Sequence, residues 1–159
     1  MGGASIEAIE EVYRGQYRRF LRVALAIDGD PARADDAVQE AFARAIRRRD
    51  SFRGEGSLES WLWRTLVNVC RDAHRESVRR VDVPGEFAHE DVDPERWPEL
   101  RAAVAALPER QRLVLFLRHY ADLDYESIAG ALGIRRGTVA ATLNAAHSSL
   151  RESMAEVKR

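Results

Sequence analysis

Apolar residues recur at helical spacing along the first half of the chain. Ile6, Ile9, Tyr13, Tyr17, Phe20, Leu21 and Ala24 mark one face of a long amphipathic helix reaching about Ile27. The sequence DGDP interrupts it, with Asp30 placed as an N-cap and Pro31 at the first position of a second helix. That helix carries the stripe Ala34, Ala37, Val38, Ala41, Phe42 and Ala45 and runs to about Arg48. A charged, glycine-punctuated turn follows, RRRDSFRGEGS. Ser57 is then placed to cap a third helix striped by Leu58, Trp61, Leu62, Thr65, Leu66, Val69 and Ala73. Trp61 lies on that stripe and reads as core before it reads as a stacking surface. Trp63 lies off it, so the pattern leaves it either exposed or buried against the first helix.

The periodicity fails from Glu76 to Pro98, where three of the five prolines sit among acidic residues. This composition predicts a mobile interdomain linker. Helical spacing returns in ELRAAVAAL, in ERQRLVLFLRHY after Pro108, and in the segment 125–147. Only RLVLFL looks strand-like, and its flanks favour helix. The expected fold is therefore all-α, with two small helical domains, 1–75 and 99–159, joined by residues 76–98.

Charge sharpens that division. Residues 1–75 carry 13 basic and 12 acidic side chains, 76–98 carry 3 and 7, and 99–159 carry 9 and 7. Two nearly neutral blocks thus flank an acidic strip. Of the 25 basic residues 24 are arginine, which suits forked contacts to phosphate or carboxylate; a GC-rich genome gives the same bias. No apolar run approaches a membrane span and the start lacks a secretory pattern, so a cytoplasmic protein is expected. The single cysteine, Cys70, allows no internal disulfide. Cys70 and His74 lie one helical turn apart, but two ligands do not make a metal site. His89 falls in the linker, and His119 and His147 have no acid or cysteine arranged around them. No catalytic residues, metal or cofactor are expected.

The segment YESIAGALGIRRGTVAATLNAAH has the small, flexible and apolar positions of a helix-turn-helix. Ala129 is small where two helices would cross, Gly133 tolerates positive φ in the turn, and Ile134, Val139 and Leu143 can pin the second helix. Asp124 can cap the first helix. The competing reading is an ordinary helical hairpin ending at glycine. In a DNA reader the N-terminal side chains of the second helix meet the bases, which here means Arg135, Arg136, Thr138, Thr142 and Asn144. Two cations at this tip make for weak binding alone.

Three stretches in order resemble the extracytoplasmic-function class of bacterial RNA polymerase sigma factors: ADDAVQEAFARA (34–45), FRGEGSLESWLWRTLVNVCRDAHR (52–75) and LPERQRLVLFLRHYADLDYESIAGALGIRRGTV (107–139). The resemblance implies an alternative sigma factor that binds core RNA polymerase through Asp35, Asp36, Gln39, Glu40 and Phe42. It implies that Arg53, Ser57, Ser60, Trp61, Arg64, Asn68 and Arg71 read and help capture the melted minus-ten strand. The helix-turn-helix would read duplex promoter DNA at minus thirty-five, through Arg135, Arg136, Thr138, Thr142 and Asn144. It further implies an anti-sigma protein as partner, a monomer when free, no membrane insertion and no catalysis by the chain itself. The chain departs from the family after Val139, where AATLNAAH replaces the usual basic and polar residues; Arg110, Arg112 and Arg118 could partly compensate. Competing readings are a stand-alone helix-turn-helix regulator, a degenerate sigma-like polymerase-binding protein and a helical adaptor. Core binding and factor-dependent transcription separate them.

Overall fold

In the computed structural model, residues 2–79 and 97–157 are described, and every regular element among them is helical. The first half holds α1 (Ile6–Asp28), α2 (Pro31–Arg47) and α3 (Leu58–Arg79), with a short 3-10 turn at Arg49–Ser51. The second holds α4 (Pro98–Ala106), α5 (Glu109–His119), α6 (Tyr125–Leu132) and α7 (Arg136–Val157). Residues 80–96, most of the expected linker, lie outside the described residues.

Local chemistry sets the helix ends. The Ser5 hydroxyl accepts the Ala8 N–H, and Gly29 closes α1 in the left-handed region at φ 79°. Asp30 accepts the Arg33 N–H at 2.9 Å with Pro31 just inside α2, as its sequence position predicts. Ser57 accepts the Ser60 N–H at 3.0 Å at the start of α3. In the second half Asp124 accepts the Ser127 N–H at 2.7 Å, and this bond holds its carboxyl below the usual range. Gly133, at φ 65°, makes the tight turn that separates α6 from α7.

Helices α1, α2 and α3 pack pairwise around Phe20, Val23, Ala24, Val38, Phe42, Trp63 and Leu66. Trp63 is fully buried and stacks on Phe20 of α1, with ring centroids 3.9 Å apart and planes 6° apart. Of the two places the pattern left open for it, the one against the first helix is occupied. Helices α4, α5 and α6 pack on α7, around Leu117, Ile128, Val139 and Leu143. The two clusters are continuous, because α6 lies against α3 and α5 touches α1. This explains why α3 buries Val67 and Cys70 outside its expected stripe: the helix has neighbours on more than one side.

Candidate nucleic-acid interface

The outer face of α2 is polar, but its groups are not equivalent. Asp36 and Gln39 are exposed; the Gln39 amide donates to Asp35 Oδ2 at 2.7 Å. Asp35 also accepts the Tyr17 hydroxyl from α1. That hydrogen bond, burial and the nearby carboxylate push the Tyr17 phenol up to about 12. Glu40 pairs with Arg44 at 3.3 Å and with Arg47 at 3.1 Å. Phe42 differs from its expected place on this surface. It is 5% exposed, edge-on to Tyr13 and Phe20 at 4.9 and 5.0 Å, because position 42 falls on the buried stripe.

The turn before α3 leaves Arg53 and Ser57 exposed, while Gly54 and Gly56 adopt positive φ, at 74° and 85°. Trp61 is half-buried beside Phe52, at 5.6 Å, so it belongs partly to the core and partly to the surface. It borders a cleft of about 210 Å³ between the end of α2 and α3, together with Arg44, Arg48, Arg64 and Asn68. Such a cleft offers a nucleobase a ring face, an amide and cations for the flanking phosphates. Ser60, Arg64 and Arg71 also face the second half: Cβ atoms at Gly130 and Gly133 would lie 3.3 Å from Ser60 and 3.5 Å from Arg64, and Arg71 Nε donates to Glu109 Oε1 at 3.0 Å.

At the helix-turn-helix, Arg135, Arg136 and Asn144 are exposed, and Thr138 and Thr142 half-buried. Two arginines expected to compensate for the alanine-rich helix are engaged inside their own domain. Arg112 donates to the Ala105 and Leu107 carbonyls, at 2.7 and 3.1 Å, and Arg118 to the Leu123 carbonyl at 3.2 Å. Arg110 is exposed. His119 and His147, 28 residues apart in sequence, meet with their Nε2 atoms 3.3 Å apart. Burial first, then the neighbouring His147 and Arg118, push the His119 imidazole down.

Comparison with known proteins decides the family. Residues 12–80 match the family model for Sigma-70 region 2, and residues 98–148 that for Sigma-70, region 4. The ECF RNA polymerase sigma factor EcfG of Rhodopseudomonas palustris is 34% identical over 139 residues, covering 80% of this chain and 74% of that one. The chain belongs to the extracytoplasmic-function sigma factors. It is an alternative sigma factor, which directs transcription initiation. The RNA polymerase sigma factor YlaC of Bacillus subtilis is 27% identical over 163 residues, covering 93% of this sigma factor and 92% of YlaC. The fold matches that of the sigma factor RpoE from Bartonella quintana, solved in complex with the anti-sigma factor NepR. The TM-score is 0.73 at 22% identity, over 94% of this chain and 99% of that one. Among the described residues no helix is long and apolar enough to cross a membrane, and no three metal-ligating side chains converge.

The Cys70 thiol of this sigma factor is 1% exposed, and burial, then the negative charge of Asp28, push its pKa from 9.0 up to about 12. Since the thiolate is the nucleophile, the native chain should resist thiol reagents at pH 8 and be labelled once unfolded. A pKa raised by folding stabilises the fold fully below the unfolded value. That contribution should fade as pH climbs from 9 toward 12, lowering the urea midpoint. Labelling of the native chain as fast as the unfolded one contradicts the burial.

Proposed function

We propose that residues 1–75 bind core RNA polymerase and the melted minus-ten strand, and that residues 99–159 read duplex DNA at minus thirty-five. The observation that carries this reading is the division of surfaces on the first half. The acidic and amide groups Asp36, Gln39 and Glu40 lie on the outer face of α2, whereas arginines and Asn68 surround the small cleft where α2 meets α3. An acidic face suits an arginine-rich protein partner, and a cationic cleft with an aromatic wall suits a strand with unstacked bases. Asp36 and Gln39 are the exposed contacts to the polymerase. Asp35 acts through the orientation it gives Gln39, and Phe42 acts by holding α2 in place. Of the minus-ten contacts, Arg53, Ser57, Arg64 and Asn68 are exposed in the described form, and Ser60, Trp61 and Arg71 are half-buried. The chain works in the cytoplasm, where core polymerase and promoter DNA are. An anti-sigma protein as a second partner is supported by RpoE, which was solved in complex with one.

The test is Asp36→Arg in a titration against core polymerase. Reversing an interfacial charge costs a few kcal/mol, so core affinity should fall at least about tenfold with the helical signal unchanged. Unchanged core affinity would sink the assignment of α2. If DNA is bound and transcription altered with no core binding at all, the chain acts as a stand-alone regulator.

A further inference from the structure

The turn that precedes α3 is anchored at both ends and bare at its tip. Ser57 anchors the far end by capping α3. At the tip Gly54 and Gly56 hold positive φ, and among the described residues a Cβ at either would meet nothing within 4 Å beyond its chain neighbours. The near end is held by the residues in front of α1. The Ala4 N–H donates to the Arg49 carbonyl at 3.0 Å, and the same oxygen accepts the Phe52 N–H at 3.2 Å. Gly3 lies against Asp50: a Cβ there would stand 3.5 Å from Asp50 Oδ1 and 3.6 Å from the Asp50 Cα. One at Gly2 would stand 3.4 Å from the Phe52 carbonyl oxygen and 3.7 Å from the Arg53 Cα. Residues 2–4 thus pass along residues 49–53 in the opposite direction. Ala4 is buried, and Ser5 then caps α1.

We propose that Gly2, Gly3 and Ala4 are positioning residues for the minus-ten reader, a strap that holds the turn before α3 and so sets where Arg53 and the wall of the cleft meet the melted strand. The strap stands on the contacts above; what it positions rests on the minus-ten reading in the preceding section. Arg48 and Ser51 of this turn line the cleft of about 210 Å³ beside Trp61, and Phe52 packs on the Trp61 ring. The strap touches the residues that alternate with them, so a shift of the turn would move the cleft wall and Arg53 together. A recognition contact has to be held to within about 0.5 Å, and a glycine-flanked tip reaches that only if both of its anchors are fixed. Gly3 is suited to its place because φ is 148° there, a conformation L side chains rarely adopt.

Gly3→Val in the full chain tests this, because a β-branched side chain is strained at that φ and would lift the strap. Ala4→Pro is the second variant, removing the N–H that binds the Arg49 carbonyl. Gly2→Ala is the control, since its methyl reaches only ordinary contact distance. Hydrogen exchange of residues 49–53 should be at least about tenfold faster in the first two. The helical signal, the urea midpoint and the affinity for core polymerase should stay as in wild type. The functional reading uses holoenzyme on a promoter fragment recovered by run-off from genomic DNA, with its minus-ten bases substituted one at a time. Wild type should prefer the unsubstituted fragment. The ratio of transcripts should shrink at least about fivefold in Gly3→Val and Ala4→Pro, a loss of roughly 1 kcal/mol of discrimination, and hold in Gly2→Ala. A role confined to folding would lower transcript from every fragment alike and leave the ratio unchanged. Exchange at 49–53 equal to wild type in both variants overturns the strap, as does loss of the helical signal in both. Faster exchange with an unchanged ratio overturns its positioning role. A wild-type holoenzyme that does not distinguish minus-ten bases overturns the reading of the turn itself, while exchange still decides whether the strap holds it.

Discussion

Trp63→Ala should destabilise the first half by about 3–5 kcal/mol, a large share of the roughly 5–15 kcal/mol that holds a typical protein folded. The ring is fully buried and stacked on Phe20, which meets Phe42, which in turn meets Tyr13. Removing the indole opens a cavity at the centre of α1, α2 and α3, where no exposed loop can collapse to fill it. Trp61→Ala is the control, since that ring is half-buried at the edge of the bundle. Urea unfolding followed by circular dichroism checks both. Trp61→Ala destabilising the chain more than Trp63→Ala would mean that the stacking of Trp63 on Phe20 is not the centre of this core. The destabilised chain should also lose core-polymerase binding, because Asp36 and Gln39 depend on α2 staying packed.

The two tryptophans show what the sequence pattern can and cannot reveal. Helix ends were legible because caps are local: Asp30 with Pro31, Ser57, Asp124 and Gly133 each act within a few residues of their own position. The stripes of α1 and α2 were legible because each helix buries one main face. Helix α3 was only half legible. A periodic stripe assumes one packing direction, and α3 is enclosed by α1, α2 and α6, so Trp63, Val67 and Cys70 are buried beyond it. The candidate site divides in the same way. Residue types at motif spacing pointed to Asp36, Gln39, Arg135 and Arg136, all of them exposed. Phe42 shows the limit of motif transfer, since its place on the stripe already assigned it to the core. The docking of α3 on α6 had no signature, because Ser60 and Gly130 are small and neither hydrophobic nor charged. The contacts of Arg112 and Arg118 with carbonyls, and the meeting of His119 with His147, depend on turns and pairings that no single helix contains.

Replacing Arg135 and Arg136 together by alanine should abolish the dependence of transcription on the upstream promoter element. Both side chains are exposed at the start of α7, and the next outward positions of that helix carry Ala141 and Asn144, so α7 itself brings no other cation to the tip. A forked arginine–guanine contact discriminates by about 1–3 kcal/mol, or roughly 5- to 150-fold. With so few contacts the domain is a weak binder alone. On the proposed assignment the domain is held on the polymerase next to upstream DNA, at a raised effective concentration where a weak contact still selects sequence. The expected pattern is therefore a large loss on the cognate promoter, little further loss when its upstream element is scrambled, and a shallower dependence on salt. Two arginines that each neutralise a phosphate set the upper bound, a reduction of about 1.8 in the slope of log affinity against log salt, and arginines that only fork to guanine reduce it less. Run-off transcription by wild-type and variant holoenzyme, on native and scrambled upstream elements across a salt series, gives all three readings. If neither the double substitution nor the scrambling changes output, α7 does not read DNA, and the promoter must be chosen by α3 and the loop before it.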